Sequence, residues 1–100
     1  MDIILYDSPH HEPRRAGTVP SILLVHYTET PSAQEAVAVF SGKKANENGQ
    51  KVSVHYMIDE DGTVMQFVDE RDRAWHAGMS YWDGQTDINS NSIGIELQNP

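Results

Sequence analysis

The chain has 100 residues, 38% of them hydrophobic, which suffices for one small domain or part of one. Fifteen acids against seven bases leave a formal charge of -8, and this excludes a nucleic-acid binder, because phosphate neutralisation needs clustered Lys and Arg. With no cysteine, disulfides and thiolate ligands are excluded, and any metal must sit on His, Asp or Glu.

The start, Met1-Asp2-Ile3-Ile4-Leu5-Tyr6-Asp7, is acidic and lacks the basic start and long apolar run of a secretion signal. No segment reaches the roughly 18 apolar residues of a membrane span. A cytoplasmic protein is the expectation, or a periplasmic or secreted one if a leader has been removed. Ile3, Ile4, Leu5 and Tyr6 suit an edge strand. The stretch from Asp7 to Gly17 reads as a polar loop held extended by Pro9 and Pro13. In it, His10-His11 and Arg14-Arg15 are read as solvated pairs ahead of a metal site or an anion contact.

Residues 21–28, Ser-Ile-Leu-Leu-Val-His-Tyr-Thr, are nearly continuous apolar sequence, the pattern of a central strand covered on both faces, and His26 falls near its carboxyl end. That end of a strand is where open α/β sheets place ligand sites. A helix over 31–41 follows. Thr30 can cap it, Pro31 suits its first position, and Ser32 and Glu35 have capping-box spacing. Ala33, Ala36, Val37 and Phe40 form one apolar stripe, and Gly42 can end the helix in a left-handed turn.

Residues 43–51 read as a loop. Residues 52–58 alternate, with Val52, Val54, Tyr56 and Ile58 on one face and Ser53, His55 and Met57 on the other. With the turn Asp59-Glu60-Asp61-Gly62 and the return strand 63–68 they form a hairpin. Residues 69–73 are charged surface, a loop or a short helical turn. A polar loop from Trp75 to Asn91 then carries Trp75, Tyr81 and Trp82 beside Gly78 and Gly84. Aromatics in so polar a loop resemble the walls of a site that stacks on a sugar or peptide, the competing reading being that they cap a small core. Residues 92–98 form the last strand, with Glu96 among apolar neighbours and Gly94 on its face leaving space. Repeats and low-complexity segments are absent. The order strand, helix, hairpin, loop, strand predicts an α/β fold, a mixed central sheet with helices packed on its faces.

Three histidines, His26, His55 and His76, lie on or beside strands, and Glu96 lies within one. A lone strand histidine is more often structural than a ligand. Glu96, however, costs several kcal/mol to bury ionised without a partner. Zinc takes imidazole nitrogens and carboxylates in a tetrahedral set, and a nearby carboxylate then serves as general base, so the group reads as a zinc hydrolase site. Spacing alone does not say which histidines bind. The His-Glu-x-x-His helix and the Gly-x-Ser-x-Gly elbow are both missing.

At Leu24-Val25-His26-Tyr27-Thr28, Ser53-Val54-His55-Tyr56-Met57-Ile58, Asp61-Gly62-Thr63-Val64, Ala74-Trp75-His76-Ala77-Gly78 and Asn91-Ser92-Ile93-Gly94-Ile95-Glu96-Leu97, the sequence resembles the type 2 N-acetylmuramoyl-L-alanine amidases. These zinc hydrolases are related to phage lysozyme-type amidases and peptidoglycan recognition proteins. The Trp-His-Ala-Gly loop followed by Ser-Tyr-Trp-Asp-Gly looks closest to the bacterial branch that cuts muropeptides, anhydro forms included.

The resemblance implies a Zn2+ cofactor with His26 as its first ligand. It makes Glu96 the acid that activates water and puts His76 and His55 at the substrate cleft, whose other expected residues are Trp75, Tyr81, Trp82 and Asn91. His76 is thereby removed from the metal. It further implies that residues 1–100 are a single amidase-like domain lacking a C-terminal segment, where the family carries its other two ligands and a helix that packs on the sheet. The 100 residues alone are then expected to be inactive, a second polypeptide being one source of the missing part. The implied reaction is zinc-dependent hydrolysis of the amide between N-acetylmuramic acid and L-alanine in peptidoglycan or muropeptides. The alternative is a module that binds peptidoglycan without cutting it.

Overall fold

The computed structural model describes residues 2–28, 30–46, 48–77 and 87–99. Its elements are β1 (Ile3–Leu5), β2 (His11–Pro13), β3 (Ile22–Tyr27), α1 (Ala33–Phe40), β4 (Tyr56–Ile58), β5 (Val64–Gln66), β6 (Asp72–Ala74), α2 (Ile88–Asn91) and β7 (Ser92–Leu97). Five strands form a mixed sheet in the order β1-β5-β4-β7-β3, and β2 and β6 form a separate antiparallel pair. The hairpin β4–β5 is antiparallel, while β7 runs parallel to both β4 and β3.

α1 begins at Ser32, whose Oγ accepts the Glu35 N–H at 3.3 Å, so the capping-box serine is the cap and Thr30 is not. The helix ends before Gly42, which sits at φ +83°, and a Cβ there would also lie 2.6 Å from Pro9 Cδ. Glycine is thus required both by the turn and by the N-terminal segment crossing over it. The buried face of α1 is Ala36, Val39 and Phe40, with Ala33 and Val37 packed partly against the core. Its partners include Val54, Met57, Met65, Phe67 and Val68. Phe40 meets Phe67 edge to face at 5.8 Å, and Tyr6 stacks on Phe67 at 5.3 Å.

Three expectations change. β3 is an edge strand and not a central one, and Leu23, Val25 and Tyr27 are 63%, 52% and 62% exposed. Its apolar run is covered on one face only by the described residues. The prolyl loop before it contains β2, which pairs with β6 where a charged loop was expected. Two cross-strand contacts fix that short ribbon, His11 Nδ1 to Asp72 Oδ2 at 3.1 Å and the ion pair of Arg73 Nη1 with Glu12 Oε1 at 2.6 Å. Finally, the aromatic loop closes into a single helical turn, α2, just before β7.

Candidate active site

β3 and β7 are in register at His26 and Glu96, and β4 places Met57 beside Glu96. Because side chains alternate across a strand, His26 and Glu96 leave the sheet on one face, side by side. Glu96 is 8% exposed and borders an open cleft whose other walls include Trp75, His76, Ala77, Asn89 and Lys51. His26 Nε2 is buried without a partner, and burial pushes the imidazole below its ordinary range, so the ring is neutral with a nitrogen to offer. A buried nitrogen left unmatched costs about 1–3 kcal/mol, which a metal ion bound there would offset. That orphaned atom fits a metal-ligand role. Among the described residues, no group of three His, Cys, Asp or Glu side chains is placed to hold a metal.

His76 lies next to this pair, its ring centroid 6.0 Å from that of His26. It fills the space that Gly94 leaves: a Cβ on Gly94 would stand 2.6 Å from His76 Cγ. The space left by Gly94 therefore houses an imidazole. His76 Nε2 lies 3.0 Å from Ser92 Oγ, and Nδ1 is buried without a partner. Burial, aided by the neighbouring His55 and His26, drives its pKa down to about 3, so the ring stays neutral.

His55, expected at the substrate, is instead wholly buried. The Gly94 N–H donates to its Nδ1 at 3.0 Å, so Nε2 carries the proton and donates to the Asp72 carbonyl at 2.8 Å. Both nitrogens are spent on main chain, and the ring ties β7 to β6 with none left for a ligand. Asn91 ends α2, and its carbonyl accepts the Ser21 N–H at 2.8 Å. Trp75 stacks on His10 at 5.2 Å, and Ser53 holds the two together by donating to the His10 carbonyl and accepting the Trp75 N–H. Tyr81 and Trp82 lie outside the described residues.

Sequence reasoning missed Asn89, Arg14 and Lys51. Asn89 has no motif to flag it, yet its Oδ1 accepts the main-chain N–H of both His76 (3.2 Å) and Ala77 (2.8 Å). Arg14, read as solvated, donates to the carbonyls of Glu70, Asn89 and Ser90 and so pins α2. Arg15, Arg71, Arg73 and Lys44 are each paired with a carboxylate. Among the described residues, Lys51 is the cation on the cleft that carries no ion pair.

A neutral imidazole with an unmatched nitrogen thus stands beside a carboxylate at the edge of a cleft, in a mixed α/β fold. The N-acetylmuramoyl-L-alanine amidase family matches residues 16–100, and the chain belongs to that family. It is 35% identical over 103 aligned residues to the 1,6-anhydro-N-acetylmuramyl-L-alanine amidase AmpD of Haemophilus influenzae, covering 91% of this chain and 56% of the relative. To the N-acetylmuramoyl-L-alanine amidase AmiD of Escherichia coli it is 35% identical over 85 residues, 78% of this chain and 28% of AmiD.

A selenomethionine AmpD crystal structure superposes with a TM-score of 0.86 at 32% identity, covering 97% of this chain and 61% of that one. The Escherichia coli AmiD complex with anhydro-N-acetylmuramic acid-L-Ala-D-gamma-Glu-L-Lys gives 0.61 at 31% identity, covering 88% and 34%. The chain therefore spans somewhat over half the length of the AmpD relatives it matches.

Proposed function

We propose that the chain is the part of an N-acetylmuramoyl-L-alanine amidase that supplies one zinc ligand, the proton carrier and one side of the substrate cleft. The observation that carries this reading is the His26–Glu96 register pair at the cleft, on a chain of this family. His26 would hold the metal through Nε2, and the other ligands come from sequence outside the described residues or from a second polypeptide. When bound, zinc brings the pKa of a coordinated water down to about 7 and polarises a carbonyl.

The chain's own chemistry lies with Glu96. Its carboxylate takes the proton from the water whose oxygen attacks the lactyl carbonyl carbon, and returns it to the alanine nitrogen as the C–N bond breaks. The products are a muramic carboxylate and a free peptide amine. Trp75 and His76 wall the cleft. Lys51, on the same cleft, would meet a carboxylate of the stem peptide, a group present in the D-gamma-Glu ligand bound by AmiD. The substrate class we assign is a muropeptide, anhydro forms included.

A second reading, a peptidoglycan-binding module without catalysis, is favoured by one fact: no three-ligand group exists among the described residues. A chimaera separates the two. Residues 1–99 replace the matching segment of Haemophilus influenzae AmpD, and release of the stem peptide is measured together with bound zinc. The amidase reading expects zinc-dependent cleavage, and Glu96→Gln should lower turnover by about 100-fold or more while zinc is retained. A folded, zinc-loaded chimaera that binds the muropeptide without cutting it would establish the binding module. Near-normal turnover in Glu96→Gln removes Glu96 from the mechanism.

A further inference from the structure

α2 is one turn long and polar, yet Ile88, Asn89 and Ser90 are all buried. A turn with so little apolar content is held by hydrogen bonds, and these converge on its two ends. Asp87 takes Arg15 Nε at 2.8 Å, Arg73 Nη2 at 2.8 Å and the Ser90 hydroxyl at 2.6 Å. Arg14 Nη1 donates to the carbonyls of Asn89 (3.2 Å) and Ser90 (3.1 Å). The backbone that carries Asn89 is thereby fixed from both sides.

The side chain is fixed as well, and its orientation follows from chemistry. Two N–H donors, those of His76 and Ala77, face one end of the carboxamide, so that end is Oδ1 and the other is the amino group. Asn89 is 5% exposed and borders the cleft beside His76, Ala77 and Glu96. Among the described residues, no acceptor pairs with its Nδ2. A donor left unspent on a residue that borders a cleft is available to a ligand there.

We propose that Asn89 is a substrate-binding residue whose Nδ2 donates to a peptide carbonyl oxygen of the ligand, while its Oδ1 holds the His76–Ala77 main chain that forms the adjoining wall. A neutral donor suits a neutral carbonyl, and Lys51 is the group on this cleft suited to a carboxylate. The identity of the ligand, an N-acetylmuramoyl peptide, rests on the amidase reading; the presence of the donor does not. One side chain thus joins recognition to the placement of His76, and losing its two ends has separable effects.

The experiment is an NMR titration of the 100-residue chain with N-acetylmuramoyl-L-alanyl-D-γ-glutamyl-L-lysine, following the Asn89 side-chain NH2 signals, the His76 and Ala77 amides and their hydrogen exchange. In the unmutated chain the Asn89 NH2 pair should shift on saturation. Asn89→Asp keeps an acceptor for the two amides but loses the donor. It should leave their exchange protection unchanged and weaken binding about tenfold or more, the scale of a lost hydrogen bond with an acceptor left facing an acceptor. Unmoved Asn89 NH2 signals at saturation overturn the proposal, as does Asn89→Asp binding with unchanged affinity. Weaker binding accompanied by lost His76 and Ala77 protection overturns it too, in favour of a structural role. A chain in which no signal moves at millimolar ligand sinks the muropeptide reading together with this one.

Discussion

His26 and Glu96 are register partners on adjacent parallel strands, although they come from opposite halves of the sequence. The pairing puts an imidazole with an unmatched buried Nε2 directly beside a buried carboxylate. Each would be costly alone in an apolar sheet, and their adjacency is what a metal-assisted proton transfer needs.

The two histidines of the site are expected to separate in a metal-binding assay. In the zinc-loaded chimaera, the proposed ligand role of His26 requires that His26→Ala lose metal. His76→Ala should keep stoichiometric metal and lose substrate turnover. Equal metal loss in both, measured by atomic absorption on dialysed protein, would make His76 a ligand.

Gly94→Ala should be destabilising by about 1–3 kcal/mol, the usual range for forcing atoms into a filled space. The added Cβ would stand 2.6 Å from His76 Cγ, so the ring must leave its seat against Ser92. Urea denaturation reads the cost, and an unchanged midpoint would show that His76 relocates freely.

Phe40→Ala should cost roughly 3–5 kcal/mol, since Phe40 is 8% exposed and anchors α1 on Phe67. A loss under about 1 kcal/mol in chemical denaturation would mean that α1 is not the core helix of this sheet.

Metal-free protein should lose stability as pH falls below about 6.5, the pKa of an unperturbed histidine. His26, His55 and His76 are all pushed down by burial, His76 to about 3. Below 6.5 the unfolded chain takes up protons more readily than the folded chain, so all three rings lower stability, His76 by about 1.4 kcal/mol per pH unit down to about 3. Between pH 6.5 and 5, above the carboxylate range, urea midpoints should fall steadily. A flat profile there would mean that these rings take up protons in the folded state.

Local chemistry made much of this protein legible in advance. The Ser32-to-Glu35 spacing and Gly42 bracket a helix by capping and by backbone conformation, and Asp59 to Gly62 closes a hairpin, since each device acts over a few residues. The alternation around Glu96 correctly shares its face with Gly94, for strand periodicity is also local. What no local rule contained was the occupant of each face. Leu23, Val25 and Tyr27 signal a strand that needs cover, but the sequence does not say whether cover is present, and in the structure β3 lies at the edge with that face open.

His55 looked like a site residue because histidine on a strand carries the same signature in either role, and only the arrival of Gly94 N–H and the Asp72 carbonyl at its two nitrogens decided for structure. Asn89 shows the converse. An asparagine in a polar loop announces nothing, and its role arises when the chain brings back His76 and Ala77 with two main-chain donors to be satisfied. The sequence by itself determined which segments bend, coil or extend, because those preferences are energies of neighbouring residues. Which buried polar atoms are matched, and which remain open to a ligand, was decided by tertiary structure alone, because a hydrogen bond needs a partner that distant segments deliver.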